Sequence, residues 1–170
     1  MACVLLTGGI AKNCDNNLGG VTKVYITDFE NVTGITAATG EISAFAMASG
    51  TLFYEFEFNK NTSSFAENAT VSLENGSLFY EQIVTLVIPR REVAKRNVLK
   101  LLMQKDLAVI VKDQNGLYWY IGEENGANIT ELPSTTGTAK GDANAYTLTI
   151  RGEEPEQAQE ATEASVTAVI

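Results

Sequence analysis

The sequence predicts a mainly β, α+β domain, an antiparallel or barrel-like arrangement of strands with one amphipathic helix packed against it. Three observations predict this fold. Several segments rich in β-branched and aromatic residues read as strands, two pairs of them flank Asn-Gly turns, and only one stretch has a convincing helical period. The 170 residues suit one domain. We place it at residues 21–152, between an N-terminal arm (1–20) and an acidic C-terminal tail (153–170).

The first strands are predicted from composition and alternation. The segment "VTKVYITDF" (21–29) is rich in β-branched and aromatic residues, and a short strand is expected between Gly40 and Gly50. The segment "TLFYEFEF" (51–58) alternates most clearly, which predicts one buried face and one wet, acidic face. The buried row is predicted to hold Leu52, Tyr54, Phe56 and Phe58, and the wet row Thr51, Phe53, Glu55 and Glu57.

The first hairpin is predicted around Glu74-Asn75-Gly76. Strand-like runs lie on both sides, "FAENATVSL" before and "SLFYEQIVTLVI" after. Asn-Gly between two such runs is the strongest short-range hairpin signal, because a type I′ turn needs positive φ at both central residues.

Residues 90–105, "RREVAKRNVLKLLMQK", form the predicted helix. One half of its helical wheel is expected to face the core, and the other half carries basic residues together with Leu99 and Met103. These two residues either extend the core around the edge of the helix or contact another subunit. The half expected to face the core holds Val93, Ala94, Val98, Leu101 and Leu102.

A second hairpin and a last strand follow the helix. Strands at 107–112 and 117–122 flank Asp113-Gln114-Asn115-Gly116, and the last strand is expected at 146–151. The tail has five glutamates and no basic residue, so we expect it to be mobile and its removal from residue 156 onward to leave the fold intact. Along the last residues of the tail, Val166, Ala168 and Ile170 alternate with their neighbours as in a strand. We expect this segment to pair with the sheet edge of a neighbouring subunit, and these three residues are the candidate subunit contacts.

Composition excludes several functions. The net charge of −9 disfavours non-specific nucleic-acid binding over the whole surface. The chain has no histidine, which removes Ser-His-Asp and Cys-His catalysis, and Cys3 and Cys14 alone are too few for a structural zinc site. Free thiols are favoured over a disulfide. No apolar run is long enough for a membrane span. We therefore expect no enzyme, no metal and no cofactor.

The Gly/Thr-rich loop before the last strand tests the idea of a phosphate site. A phosphate-binding loop needs G-x-x-x-x-G-K-[ST] after a strand and before a helix, whereas Lys140 is followed by Gly141-Asp142 and then by a strand. An aspartate would also repel a phosphate. The loop is therefore predicted to be a turn or a flexible connection.

Several motifs in order resemble a known family. The long stretch "YEQIVTLVIPRREVAKRNVLKLLMQKDLAVIVKDQNGLYWYIGEENGANI" and the later "TGTAKGDANAYTLTIRGEEP" resemble a structural protein of tailed phages and prophages of Bacteroides-like bacteria, crAss-like phage ring proteins included. The segments "GGVTKVYITDFENVTGIT" and "GTLFYEFEFNKNTSSF" fit the same pattern. The resemblance covers roughly residues 19–155, and no single motif in it is diagnostic.

The resemblance implies a tail tube or tail ring protein of the virion, made in the cytoplasm of a bacterial host. It implies a β-sandwich or barrel of the phage tail-tube type with a flanking helix, and no catalytic residues. Its partners would be copies of itself in a six- or twelve-fold ring, neighbouring tail or neck ring proteins, and double-stranded DNA in transit. Glu55 and Glu57 suit an acidic channel wall, which would not grip DNA.

Two other roles stay open. One is a neck, head-completion or head-decoration protein of the same virion. The other, from a different class, is a small-molecule or glycan-binding β-domain, suggested by Trp119 between Tyr118 and Tyr120. Exposed rings beside a pocket would favour the binding domain, and rings buried against a neighbour would favour the ring protein.

Overall fold

The protein is mainly β, as predicted. The structure, a computed structural model, describes residues 8–12 and 14–170, which contain twelve strands and two α-helices. The strands are β1 (Val21–Asp28), β2 (Val32–Ala38), β3 (Glu41–Met47), β4 (Tyr54–Phe56), β5 (Ser64–Ser72), β6 (Ser77–Pro89), β7 (Leu107–Asp113), β8 (Tyr118–Ile121), β9 (Ala127–Glu131), β10 (Ser134–Thr135), β11 (Ala145–Glu154) and β12 (Gln159–Ala161). The helices are α1 (Val93–Leu102) and α2 (Glu163–Thr167).

All the strands belong to one mixed sheet. Its main path runs β2-β3-β12-β8-β7-β9-β11-β6-β5, so β2 and β5 are the two ends. Off this path, β1 pairs with β7 and β4, and β10 pairs with β11. The prediction of antiparallel pairing holds for every strand pair except β12 and β3, which run parallel. This exception arises because the end of the chain returns to the sheet.

Both predicted hairpins are present. In the first, Ser72 pairs with Ser77, and only Gly76 of the loop between them has positive φ, at 63°. The turn is therefore a four-residue loop and not the predicted two-residue type I′ turn. In the second, the Asp113 carboxylate accepts the backbone N–H groups of Asn115 and Leu117 at 2.8 and 2.9 Å. This aspartate fixes the turn that joins β7 to β8.

Strand β7 is buried on both faces and separates two hydrophobic cores. Leu107, Val109 and Val111 face the first core, and Ala108 and Ile110 face the second. The first core lies between the β1–β7 face and the inner rows of β6 and β11, and the second lies under β3, β8 and the end of the chain. A continuous apolar run is typical of a strand covered on both sides.

The helix lies within the predicted segment, but the face that it buries is not the predicted one. Leu99 is 1% exposed and packs in the first core, whereas Val93, Val98 and Leu101 of the predicted inner face are 68%, 47% and 63% exposed. Of the two alternatives for Leu99, an extension of the core and a subunit contact, the structure therefore shows the core. Helical spacing fixes which residues share a face, but the position of α1 against β6 decides which face is covered.

Strand β4 is shorter than its sequence pattern predicts. It keeps only three residues, and Phe53 before it is 2% exposed in the second core, where its ring meets Phe45 edge-on at 5.9 Å. Leu52 and Tyr54, predicted to be buried, are 45% and 63% exposed. The strict alternation fails because β4 pairs only with β1, and the chain turns before Phe53.

The C-terminal segment is folded, which corrects the prediction of a mobile tail. Strand β12 inserts between β3 and β8, and α2 follows it. Thr162 caps α2 by accepting the backbone N–H of Ser165 at 3.2 Å. Val166 and Val169, at 0% and 5% exposure, close the second core. Their spacing is helical, and the apparent alternation near the end arises from a single helical turn.

The predicted N-terminal arm extends partly beyond the described residues. Cys3 lies outside them, so the prediction of free thiols in place of a Cys3–Cys14 disulfide also falls outside the described residues. Cys14 itself is exposed. The described part of the arm before Val21 is exposed and has no strand or helix. It reaches the domain where the Leu18 backbone N–H donates to Asn115 Oδ1 at 2.8 Å.

Candidate functional site

The predicted acidic face lies on and beside β4. The side chains of Glu55 and Glu57 are both exposed, as the sequence predicted. Lys23 on β1 pairs with Glu55 at 3.0 Å, and this hydrogen-bonded carboxylate raises the pKa of the lysine above its usual range. An exposed pair of this kind contributes little to stability. These two carboxylates are therefore accessible at the surface and are not needed to stabilise the fold.

The predicted subunit contacts divide into buried and exposed residues. Val166 lies inside its own chain's second core, as Leu99 lies inside the first, so neither side chain is available to a neighbour. Met103 is 52% exposed, Ile170 is 45% exposed, and Ala168 is also exposed. These three remain predictions as contacts.

A groove lies between α1 and the β4 segment. It has a volume of about 490 Å³ and is open to the surface. Phe56 and Phe58 form one wall, and Ala94 and Val98 form the other. The Lys95 ammonium, also at this groove, donates to the Pro89 carbonyl at 2.6 Å and holds the helix beside the end of β6. Val98 lines this open groove, which agrees with its exposure of 47%.

The two ends of the sheet are open edges with little charge protection. Strand β2 contains no charged residue and no proline. The one charged residue of β5, Glu67, accepts the backbone N–H of Ala158 at 2.7 Å and the Gln82 amide at 3.3 Å, so it is engaged within its own chain. Natural monomers usually protect edge strands with charges, proline or cover. These two edges are therefore suited to pairing with another chain.

The Gly/Thr-rich loop is a turn held by its own aspartate. The Asp142 carboxylate accepts the backbone N–H groups of Thr138 and Ala139, both at 2.7 Å. These two hydrogen bonds, the one from Ala139 first, lower the pKa of Asp142 below its ordinary value. A phosphate site would need such N–H groups to be available to the ligand. This agrees with the prediction from the sequence.

The aromatic segment of β8 belongs mostly to the core. Tyr118 and Tyr120 are 6% and 1% exposed and face the second core, and Trp119 packs against the first. Trp119 Nε1 lies 3.4 Å from Asp113 Oδ2. The rings do not form an exposed aromatic cluster beside a pocket. The two tyrosines are buried within their own chain and Trp119 is half-buried, so the rings favour neither the binding domain nor the ring.

A cluster of four carboxylates forms where β11 ends. Glu123 and Glu124, in the loop after β8, meet Glu154 and Glu156 around the segment Pro155–Gln159. Glu154 is 3% exposed, and its carboxylate accepts the backbone N–H groups of Glu124 and Asn125 at 3.2 and 3.0 Å. None of the four carboxylates forms an ion pair with a described lysine or arginine. We call this group the acidic cluster.

Burial raises the pKa of two members of the acidic cluster. It raises the pKa of Glu123 and of Glu154 above the ordinary value of 4.5, and neighbouring carboxylates add to both shifts. Because both folded-state pKa values are raised, ionisation of these groups favours the unfolded chain. Their unfavourable contribution is fully present above the folded-state pKa and disappears below 4.5.

We expect Glu123→Gln to stabilise the protein at pH 7, because the amide carries no charge and its oxygen can still accept the 3.1 Å hydrogen bond from Gln159. This stabilisation should become smaller as the pH falls and should vanish below about pH 4, where the wild-type carboxyl is neutral as well. Urea unfolding at several pH values measures it. The control is Glu131→Gln, at an exposed position with no ion pair among the described residues. An equal gain at pH 4 and pH 7 would contradict the assignment.

Sequence reasoning found only half of the acidic cluster. In the sequence, Glu123 and Glu124 are adjacent, whereas Glu154 and Glu156 fall in the segment predicted to be a mobile tail. A register of β11 against β6 that continues to Glu154 and Tyr80 brings the two pairs together. No local pattern in the sequence indicates this contact.

The described residues contain no helix long and apolar enough to cross a membrane. No three acidic, cysteine or histidine side chains in the described part of the chain are grouped as a metal site requires. Comparison with known proteins finds no protein-family model and no curated protein that matches this chain.

Proposed function

We propose that this chain is a structural virion protein of a tailed phage, whose copies form a homo-oligomeric ring of the tail tube or neck through which genomic DNA passes. The virion role comes from the sequence resemblance described above. The structural observation that carries the assembly part is the pair of open sheet edges, β2 and β5, at opposite ends of one continuous sheet.

Joining these edges between copies would close the sheet. An interface that pairs two different surfaces generates a ring when the rotation between copies closes. The resemblance implies six or twelve copies. Backbone hydrogen bonds between edges supply affinity in such pairings. The uncharged β2 and the internally engaged Glu67 of β5 leave these edges without the protection common in monomers.

The β5–β6 hairpin adds apolar surface at one of these ends. Val71, Leu73 and Phe79 are 60%, 92% and 37% exposed near its tip. Exposed apolar side chains grouped on one projecting element mark interaction surfaces. In the assembly we place this tip against a neighbouring copy or a neighbouring ring protein.

The exposed Glu55 and Glu57 are assigned to the channel wall in this proposal. A wall that lets DNA pass must not form stable ion pairs with its phosphates, and carboxylates repel them. A head-completion or head-decoration role uses the same kind of assembly. The position of the protein in the virion distinguishes these roles.

Light scattering and negative-stain electron microscopy test the assembly. We expect wild-type rings or short tubes, and we expect Thr36→Lys/Ala38→Lys on exposed positions of β2 to yield monomers, because lysines on an edge block pairing. The control Thr138→Lys/Ala139→Lys adds the same charge in the exposed loop and should assemble normally.

Wild-type protein that forms neither rings nor tubes, and that is absent from virions, would contradict the proposal. If the protein is found in virions only at the head vertex or on the head surface, the assignment changes to head completion or head decoration.

A further inference from the structure

The acidic cluster and the outer face of α1 lie near opposite ends of β6. Near Leu78 and Tyr80, at the start of the strand, lies the acidic cluster. Near Ile88 and Pro89, at its end, lies α1, which meets Glu55 and Glu57 at the groove and carries Arg96 and Lys100 on its outer face. Ten residue steps of an extended strand separate Leu78 from Ile88, which is roughly 33 Å. The acidic and basic surfaces of one molecule are therefore too far apart to meet.

The acidic end contains an open trough of about 820 Å³. It is lined by Leu78 and Tyr80 of β6, by Glu124 with the segment Pro155–Gln159, and by Ala37, Thr39 and Gly40 where β2 turns into β3. A smaller space of about 30 Å³ adjoins it and shares that segment and Glu124 as lining. The trough thus combines an apolar and aromatic wall with a wall of carboxylates and amides.

Hydrogen-bonding groups at this site lack partners. The Tyr120 side chain is 1% exposed and lines the smaller space, and its hydroxyl has no hydrogen-bond partner in the part of the chain that the structure describes. The buried Oε1 of Gln159 is without one as well. The exposed Glu124 and Glu156 line the trough and form no ion pair with a described residue, and the half-buried Glu123 lies beside them. Together with these oxygens they present mostly hydrogen-bond acceptors. Such a surface suits a donor with several N–H groups, as in arginine or lysine.

The outer face of α1 has the complementary composition. Arg96 and Lys100, one helical turn apart, are exposed and form no ion pair with any described residue. Val93 and Met103 lie on the same face and are 68% and 52% exposed. Two cations between two apolar side chains match a trough with carboxylates on one side and Leu78 and Tyr80 on the other.

We propose that the outer face of α1 in one copy docks into the acidic trough of a second copy of this chain. This inference rests on the proposed function and specifies one of its contacts. A chain with net charge −9 repels its own copies in general, so association requires local complementarity of this kind. Because the two surfaces lie at opposite ends of β6, the contact joins copies head to tail.

Analytical ultracentrifugation with charge reversal tests this contact. One variant is Arg96→Glu/Lys100→Glu, and the other is Glu124→Lys/Glu156→Lys, all at exposed positions. Each alone should weaken head-to-tail association about tenfold or more, because each places like charges opposite each other. An equimolar mixture should associate again, because each variant then meets a surface of opposite charge on the other. Lys60→Glu/Lys140→Glu, also exposed, is the matched control and should behave like wild type.

Salt provides an independent measurement. Charges more than a Debye length apart are screened, and this length decreases from about 10 Å at 0.1 M to about 3 Å at 1 M. Wild-type association should weaken between these concentrations, and the mixture of variants should show the same dependence. Circular dichroism must show native folding in every variant used.

Three results would overturn the inference. They are association of either charge-reversal variant with wild-type affinity, a mixture that does not regain association, and wild-type protein that stays monomeric at low salt. Rings that persist with unchanged affinity in both variants would reject this contact and leave the ring proposal standing. Loss of rings in the β2 variant, with the charge-reversal variants unaffected, would assign assembly to the sheet edges alone.

Discussion

A chain that ends at Glu154 should lose its cooperative native fold. Strand β12 lies between β3 and β8, so its removal takes away the strand that connects the β2–β3 hairpin to the rest of the sheet. The deletion also removes Val166 and Val169, each a buried side chain of the second core. Burial of a side chain of this size is worth about 2 kcal/mol, so these two valines alone account for about 4 kcal/mol. Total stabilities are about 5–15 kcal/mol.

A single substitution tests the same point without shortening the chain. Val166→Asp places an unpaired charge in the second core and should cost about 3–5 kcal/mol of unfolding free energy. Ala164→Asp is the matched control because it adds the same charge at an exposed position in the first turn of α2, where a negative charge is favourable. Its effect should stay within about 0.5 kcal/mol.

Urea unfolding followed by the fluorescence of Trp119, the only tryptophan, measures these effects. The truncated chain should show a broad transition or none, and Val166→Asp should move the midpoint to lower urea. A truncated chain with the wild-type midpoint would show that the C-terminal segment is an appendage, as the sequence alone suggested.

Gly122→Ala should be among the most destabilising substitutions of a glycine in this chain. Gly122 has φ of +78°, and a Cβ there would lie 2.9 Å from the Ala127 nitrogen and 3.0 Å from the Leu107 oxygen. These are backbone atoms that cannot rotate away. Leu107 and Ala127 are also the residues through which β7 pairs with β9. The added methyl group therefore forces apart the place where these strands meet.

Gly116→Ala separates the two causes of this cost. Gly116 has φ of +91°, but nothing lies within 4 Å of a Cβ built there. It therefore reports the backbone strain of positive φ alone, about 1–2 kcal/mol. Gly122→Ala adds a steric cost of about 1–3 kcal/mol, which gives a total of about 2–5 kcal/mol. Urea unfolding of both variants measures the difference, and equal midpoints would contradict the steric explanation.

The two hairpins and the central strand follow from the sequence itself. Asn-Gly and Asp-Gln-Asn-Gly turns, together with the apolar run of β7, are local signals that need no information from the rest of the chain. The same holds for the position of α1, whose period is visible within its own ten residues. The exposure of Glu55 and Glu57 was also predictable, since charged residues are seldom buried without partners.

Tertiary structure alone decided which surfaces meet. Periodicity placed Leu99 and Val98 on a helix, but only packing against β6 put Leu99 in the core and left Val98 at a groove. The acidic C-terminal segment has weak local patterning, yet Val166 and Val169 are buried because the second core offers them an apolar surface. The acidic cluster likewise forms from residues about thirty positions apart. Contacts between distant segments depend on the whole fold, because the free energy of burial arises only when both surfaces are in place.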